Sequence, residues 1–92
     1  MSVIIAIPAP YRKSTGGQAE VDLAATTVGE AIAALAQKYP GMGQRLLVAE
    51  GKLNPFVSIY VNGDQVLGSE ALARPLRDGD RLLVMPVVGG GY

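Results

Sequence analysis

The stretch FVSIYVNGDQVLG, residues 56–68, constrains the fold more than any other part of the chain. Apolar β-branched residues alternate with other residues over 57–61, which is typical of a strand with one buried face. Asn62 and Gly63 follow, and this dipeptide favours the positive backbone angles of a tight hairpin turn. Val66 and Leu67 then predict a short return strand. A lone hairpin is marginally stable in water, so the chain must supply further strands and a cover for the apolar side.

Three other stretches predict strands. SVIIAIP, residues 2–8, is a β-branched run closed by prolines, and it predicts a strand deep in a sheet. AEVDLAA, residues 19–25, alternates apolar and charged side chains after the turn signal STGG, which indicates a half-buried strand and a hairpin with the first. RLLVMPVV, residues 81–88, follows the turn RDGD and predicts the last strand.

The stretch TTVGEAIAALAQKYPG predicts a helix over residues 27–39. Thr27 followed by Glu30 fits a capping box at its start, and Pro40-Gly41 is expected to end it. Its apolar residues recur at helical spacing, so we expect Ile32 and Leu35 to pack on the sheet. A short helical turn is expected at about residues 44–48, and a turn or short helix within SEALARPL, residues 69–76.

The order of these elements is strand, strand, helix, strand, short strand, strand. It predicts an α+β protein with the β-grasp, or ubiquitin-like, fold: a mixed sheet of four to five strands with one main helix packed across it. The strongly apolar first and last strands are expected side by side in the middle. With 49% apolar and 17% charged residues the chain can build one core. We expect one domain over residues 1–88 and a flexible glycine tail over 89–92.

The residue inventory excludes most catalytic chemistry. The chain has no cysteine and no histidine, so thiolate nucleophiles, thiolate metal sites and the usual near-neutral acid–base group are missing. Its eight carboxylates are expected in turns, caps and polar faces. Eight basic residues balance them, which argues against nucleic acid and anionic membranes as partners. We therefore expect a cytoplasmic protein that is not an enzyme and has no catalytic residue, metal or cofactor.

Several segments together resemble the ThiS/MoaD family of ubiquitin-like sulfur carriers, and within it the CysO-like carriers of cysteine biosynthesis. They are IPAPYRKSTGGQ, TTVGEAIAAL, GKLNPFVSIYVNG and LRDGDRLLVMPVV, in this order and followed by glycines. The resemblance implies that an ATP-dependent activating enzyme of the ThiF/MoeB type adenylates a terminal glycine. It also implies a sulfurtransferase that converts this glycine to a thiocarboxylate, and an acceptor synthase that receives the sulfur.

The tail departs from the family pattern at one residue. Gly89, Gly90 and Gly91 are followed by Tyr92, whereas carriers that are ready to work end on Gly-Gly. Counted from Pro86, the family spacing makes Gly91 the residue that is adenylated and thiocarboxylated, with Gly90 as the alternative. The resemblance then implies that a JAMM-type metallopeptidase removes Tyr92 from a proform.

A partner-binding patch is expected beside the tail. If alternate residues of the strand over 57–61 and of the last strand face the helix, the residues between them face outward. This exposes Phe56, Tyr60, Leu83 and Met85. Two other functions remain open at this point. One is a ubiquitin-like modifier conjugated through its terminal glycine, and the other is an inert interaction domain. The sequence leaves open which biosynthetic pathway receives the sulfur.

Overall fold

The computed structural model describes residues 2–48, 52–66 and 70–86. Its strands are β1 Val3–Ala6, β2 Glu20–Leu23, β3 Val57–Val61, β4 Asp64–Val66 and β5 Arg81–Pro86, and its helices are α1 Val28–Lys38 and α2 Pro40–Leu46. Two 3₁₀ helices are η1 Ala9–Thr15 and η2 Ala71–Ala73. Leu67, expected in the return strand, lies outside the described residues, as do residues 87–92 with the glycine tail.

The described strands form one mixed sheet in the order β2-β1-β5-β3-β4. β1 and β5 pair in parallel at the centre, and the neighbouring pairs are antiparallel. Both central strands are apolar because each has a strand on either side and one face under the helices. This topology confirms the predicted β-grasp fold and the central placement of the first and last strands.

The predicted turn at Asn62 and Gly63 is confirmed, with positive φ angles of 51° and 88°. The Asn62 side chain also accepts a hydrogen bond from the Arg81 backbone N–H at 3.0 Å and donates one to Asp80 at 2.9 Å. The hairpin turn is thereby joined to the start of β5. These bonds help to fix the register in which Tyr60 lies opposite Leu83.

The core lies between the inner face of the sheet and α1. Leu35 and Ile32 of α1 are fully buried, as expected from the helical spacing. They share one apolar cluster with the inward residues of β1, β3 and β5, which include Ile5, Ile59 and Val84. Burial of such side chains stabilises each by about 1.5–3 kcal/mol relative to exposure. α1 is thereby held across the sheet.

The predicted start of α1 is confirmed, with one difference in its capping. Thr27 Oγ accepts a hydrogen bond from the Glu30 backbone N–H at 3.1 Å. The Glu30 carboxylate, however, accepts from the N–H and hydroxyl of Thr26, at 2.8 and 2.7 Å, rather than from Thr27. The reciprocal half of the capping box is therefore shifted by one residue.

The connections contain more helix than expected. α1 ends at Lys38, just before Pro40-Gly41 as predicted, but Pro40 then occupies the first turn of a second helix, α2, where its missing N–H costs nothing. The helical turn expected at about 44–48 is the second half of this helix, which begins earlier and ends at Leu46. The link from β1 to β2 contains η1 as well as the predicted turn, and Tyr11 of η1 is buried in the core.

Candidate partner-binding site

Two strands carry the predicted patch on the outer face of the sheet. Tyr60 of β3 and Leu83 of β5 are paired in register, and Ser58 lies opposite Met85. The alternation of burial along β3 confirms that its odd-numbered residues face the core. Side chains directly opposite on antiparallel strands lie about 5 Å apart, so Tyr60 and Leu83 form one continuous surface.

Exposure along this surface rises toward the end of β5. Tyr60 and Leu83 are half-buried, while Met85 is 39% exposed and Phe56 is 64% exposed. Phe56 precedes β3, and its backbone N–H donates to the Asn54 side-chain oxygen at 2.9 Å. That bond defines the entry of the chain into β3. Within the patch, the most exposed side chains are thus those nearest the end of β5.

A hollow on the outer face borders the patch. It has a volume of about 450 Å³, and its lining includes Ala6, Tyr60 and Leu83. Ala6 presents only a methyl group between larger neighbours, which leaves room above β1. Our reading of the sequence missed Ala6, although the same alternation in β1 places it on the outer face. Arg81 borders the hollow and forms an ion pair with Glu20 across the sheet.

A larger cavity, of about 760 Å³, lies elsewhere. It is bounded by β3, β4, the segment before β3 and η2, and its lining includes Leu53, Val66 and Leu72. None of the four predicted patch residues lines it. It therefore adds nothing to the predicted site.

The carboxylates with shifted pKa values have structural partners. A hydrogen bond from the Thr26 hydroxyl lowers the pKa of Glu30, and the Thr26 backbone N–H adds to the effect. Asp80 accepts from the Arg77 backbone N–H and the Asn62 amide, and these bonds lower its pKa. Both groups hold caps or turns, as expected for this chain. Burial raises the pKa of the Tyr11 hydroxyl, and the nearby Arg45 charge opposes that effect.

The described residues contain neither a group of potential metal ligands nor a helix able to span a membrane. No group of three or more potential metal-ligating side chains is found among them. Within the same part of the chain, no helix combines the length and apolar character needed to cross a bilayer.

In the sequence, two residues separate the tail from β5, whose last residue, Pro86, pairs with Val57. The working glycine, Gly91 or Gly90, and Tyr92 lie outside the described residues. The sequence matches the ThiS family over residues 5–91, a range that includes all three tail glycines. The chain belongs to the ThiS family.

Named relatives agree with this family assignment. The sulfur carrier protein CysO of Mycobacterium tuberculosis is 41% identical over 93 residues, which cover 99% of this chain and all of the relative. The crystal structure of the Amycolatopsis orientalis BexX/CysO complex contains a chain that matches with a TM-score of 0.85 at 38% identity, covering 97% of this ThiS-family chain and 99% of that one. Small archaeal modifier protein 3 of Haloferax volcanii is 37% identical over 65 residues, or 71% of this chain and 70% of the relative.

Proposed function

We propose that this ThiS-family chain is a sulfur carrier whose glycine tail is adenylated, converted to a thiocarboxylate and used to donate sulfur in biosynthesis. The observation that carries the proposal is the whole-length similarity to CysO, a relative named as a sulfur carrier. The match to the ThiS family extends through Gly91, so the proposed reactive residue lies within it. The chain itself contributes no catalytic group, since activation and sulfur transfer are chemistry of its partners.

The outer face of the sheet is the proposed docking site for the activating enzyme. Phe56, Tyr60, Leu83 and Met85 present apolar area next to the end of β5, from which the tail continues. An enzyme bound to this patch meets the tail where it leaves the domain. Glycines let an extended backbone pass through a narrow channel, because they lack a Cβ. Since activation consumes ATP, we place this cycle in the cytoplasm.

We further propose that Tyr92 is removed before activation. In this sequence the carbonyl group of Gly91 forms the peptide bond to Tyr92, so Gly91 has no free carboxylate that can be adenylated. One added residue displaces the free carboxylate by about 3.5 Å of extended chain and brings a ring that a glycine-wide channel rejects. A JAMM-type metallopeptidase is the class of enzyme proposed for this cut.

ATP–pyrophosphate exchange with the activating enzyme tests the proposal. A chain that ends at Gly91 is expected to support exchange, whereas the chain that retains Tyr92 is not. A chain that ends at Gly90 tests the register, because it is active only if Gly90 is the working residue. Equal exchange with and without Tyr92 would show that trimming is unnecessary. No exchange by any of the three would contradict the carrier function.

Protein modification is a second candidate function, favoured by the similarity to small archaeal modifier protein 3. A modifier uses the same activation but ends in an isopeptide bond to a lysine. Mass spectrometry of the protein recovered from its source separates the two. A carrier shows the mass gain of one oxygen replaced by sulfur on the trimmed terminus, and a modifier shows Gly-Lys conjugates.

A further inference from the structure

Three cations are exposed on two elements that pack together. Arg12 and Lys13 belong to η1 and Arg45 to α2, and all three side chains are solvent-exposed. η1 and α2 are joined by a hydrogen bond from Arg45 Nε to the Ser14 hydroxyl at 3.0 Å. The Arg45 guanidinium also lies 5.9 Å from the ring centre of Tyr11. We call these three cations the basic collar.

The two arginines of the collar are held in a way that leaves their outer nitrogens available. Arg12 donates from Nε to the Ile7 carbonyl at 3.0 Å, and Arg45 donates from Nε to Ser14. The Nη groups of both make no hydrogen bond within the described part of the chain. Neither η1 nor α2 contains an acidic residue. No carboxylate among the described residues forms an ion pair with the collar.

The collar lies at the end of the molecule from which the tail continues. β1 and β5 are parallel, with Ala6 beside Leu83, so their carboxyl ends reach the same edge of the sheet. η1 follows β1 after two residues, and the segment that leads to the glycines follows β5. Arg12 is bonded to Ile7, the residue just beyond β1. An enzyme that takes up the tail therefore faces the collar.

We propose that the basic collar docks on an acidic rim around the channel through which the activating enzyme takes up the glycine tail. This inference rests on the proposed carrier function. Cations near helix ends also stabilise the helix dipole, but that role does not require guanidinium groups with their outer nitrogens unpaired. Three cations on a chain with zero net charge are few for a nucleic acid, whose binding depends on many phosphate contacts. An acidic protein surface at the tail fits their number and position.

The test uses chains that end at Gly91 and measures the KM for the carrier in ATP–pyrophosphate exchange. Lys13→Glu is the clean variant, because the Lys13 side chain makes no hydrogen bond or ion pair with the other described residues. Charge reversal at an interface rim acts mainly on association, so KM is expected to rise about threefold in Lys13→Glu and about tenfold in Lys13→Glu/Arg45→Glu, with kcat within about twofold. Added salt should raise the KM of the parent chain toward that of the double variant.

Arg74→Glu is the matched control, since Arg74 is exposed, follows η2 beside the start of α1, and acts electrostatically on Asp80, just before β5 begins rather than where it ends. It makes the same charge change and should leave KM within about twofold of the parent. If Lys13→Glu and the double variant keep the KM of the parent, the docking role of the collar is wrong. An equal rise of KM in Arg74→Glu would also overturn it. Exchange by the parent chain in the same assay supports the carrier function whatever the collar variants do. A failure of the collar proposal is thereby distinguished from a failure of the carrier function. Absence of exchange by the parent would overturn both.

Discussion

At the scale of single residues, two carboxylates are held in place by hydrogen bonds in a helix cap and a turn. Glu30 binds Thr26 at the start of α1, and Asp80 binds Asn62 and the Arg77 N–H in the turn before β5. Each carboxylate accepts at least two bonds and has a lowered pKa for that reason. These carboxylates therefore stabilise the fold in their charged form, as expected of acids in turns and caps.

Glu30→Gln is expected to make stability less dependent on pH in the acid range. The folded-state pKa of Glu30 is lowered from its ordinary value of 4.5. Its stabilising effect is thus fully present above that ordinary value and is lost as the pH falls through the lowered folded-state pKa. Melting temperatures should show the variant lower by a few degrees at most at neutral pH, with the difference closing in acid.

Glu70→Gln provides the control for this measurement, because the Glu70 side chain makes no capping hydrogen bond at η2. Its melting temperature should follow that of the parent protein across the same pH range. If the melting temperature of Glu30→Gln still differs from that of the parent at a pH below the folded-state pKa of Glu30, the charge of this carboxylate is not the cause of the difference.

At the scale of elements, the sequence predicted what depends on local pattern and missed what depends on packing. The Asn62-Gly63 turn and the Leu35 face of α1 could be predicted because turn chemistry and helical spacing are local. The start of α2 was missed because Pro40 was interpreted only as the end of α1, although proline is equally compatible with the first turn of a new helix. The alternation also predicted the outward side chains of the patch. The collar could not be predicted, because it depends on the packing of η1 on α2.

The contact between α1 and α2 depends on a glycine. A Cβ added at Gly43 would lie 2.8 Å from Ala36 Cβ, a distance at which one of the two helices must move. Overpacking of this kind costs about 1–3 kcal/mol, whereas replacing glycine by alanine in a helix gains about 1 kcal/mol in helix propensity. At the upper end of its range, the cost exceeds the gain. Gly43→Ala is therefore expected to lower the free energy of unfolding by up to about 2 kcal/mol, measured by urea denaturation.

Two further variants make that prediction specific. A Cβ at Gly41, in the same helix, would meet Ser14 at an ordinary 3.6 Å, so Gly41→Ala should be neutral or slightly stabilising. Adding Ala36→Gly to Gly43→Ala removes the facing methyl group and should restore part of the loss. If Gly41→Ala and Gly43→Ala shift stability equally, close packing at Gly43 is not the reason for its glycine.

At the scale of the whole molecule, the two faces of the sheet differ in what covers them. The helices cover the inner face of the sheet, and the outer face presents the patch beside the end of β5. The collar and the tail segment follow two parallel strands that end at the same edge. An activating enzyme that binds at this edge, as proposed above, can contact the patch and the collar at once.

The last prediction separates the patch from the collar. In chains that end at Gly91, Met85→Asp or Tyr60→Asp should weaken binding to the activating enzyme by about tenfold or more, because disrupting the centre of an interface costs about 2 kcal/mol or more.

Met85→Ser should act in the same direction without a new charge. Its matched control is Val48→Ser, since Val48 is 44% exposed against 39% for Met85 but lies after α2, off the sheet. Melting temperatures should stay close to the parent in the serine variants, since surface changes usually remain within about 0.5 kcal/mol. The loss in Met85→Ser should persist in high salt, because apolar burial is not screened, whereas the effect of the collar should fade. Equal affinities of Met85→Ser, Met85→Asp and the parent would reduce the patch to ordinary sheet surface.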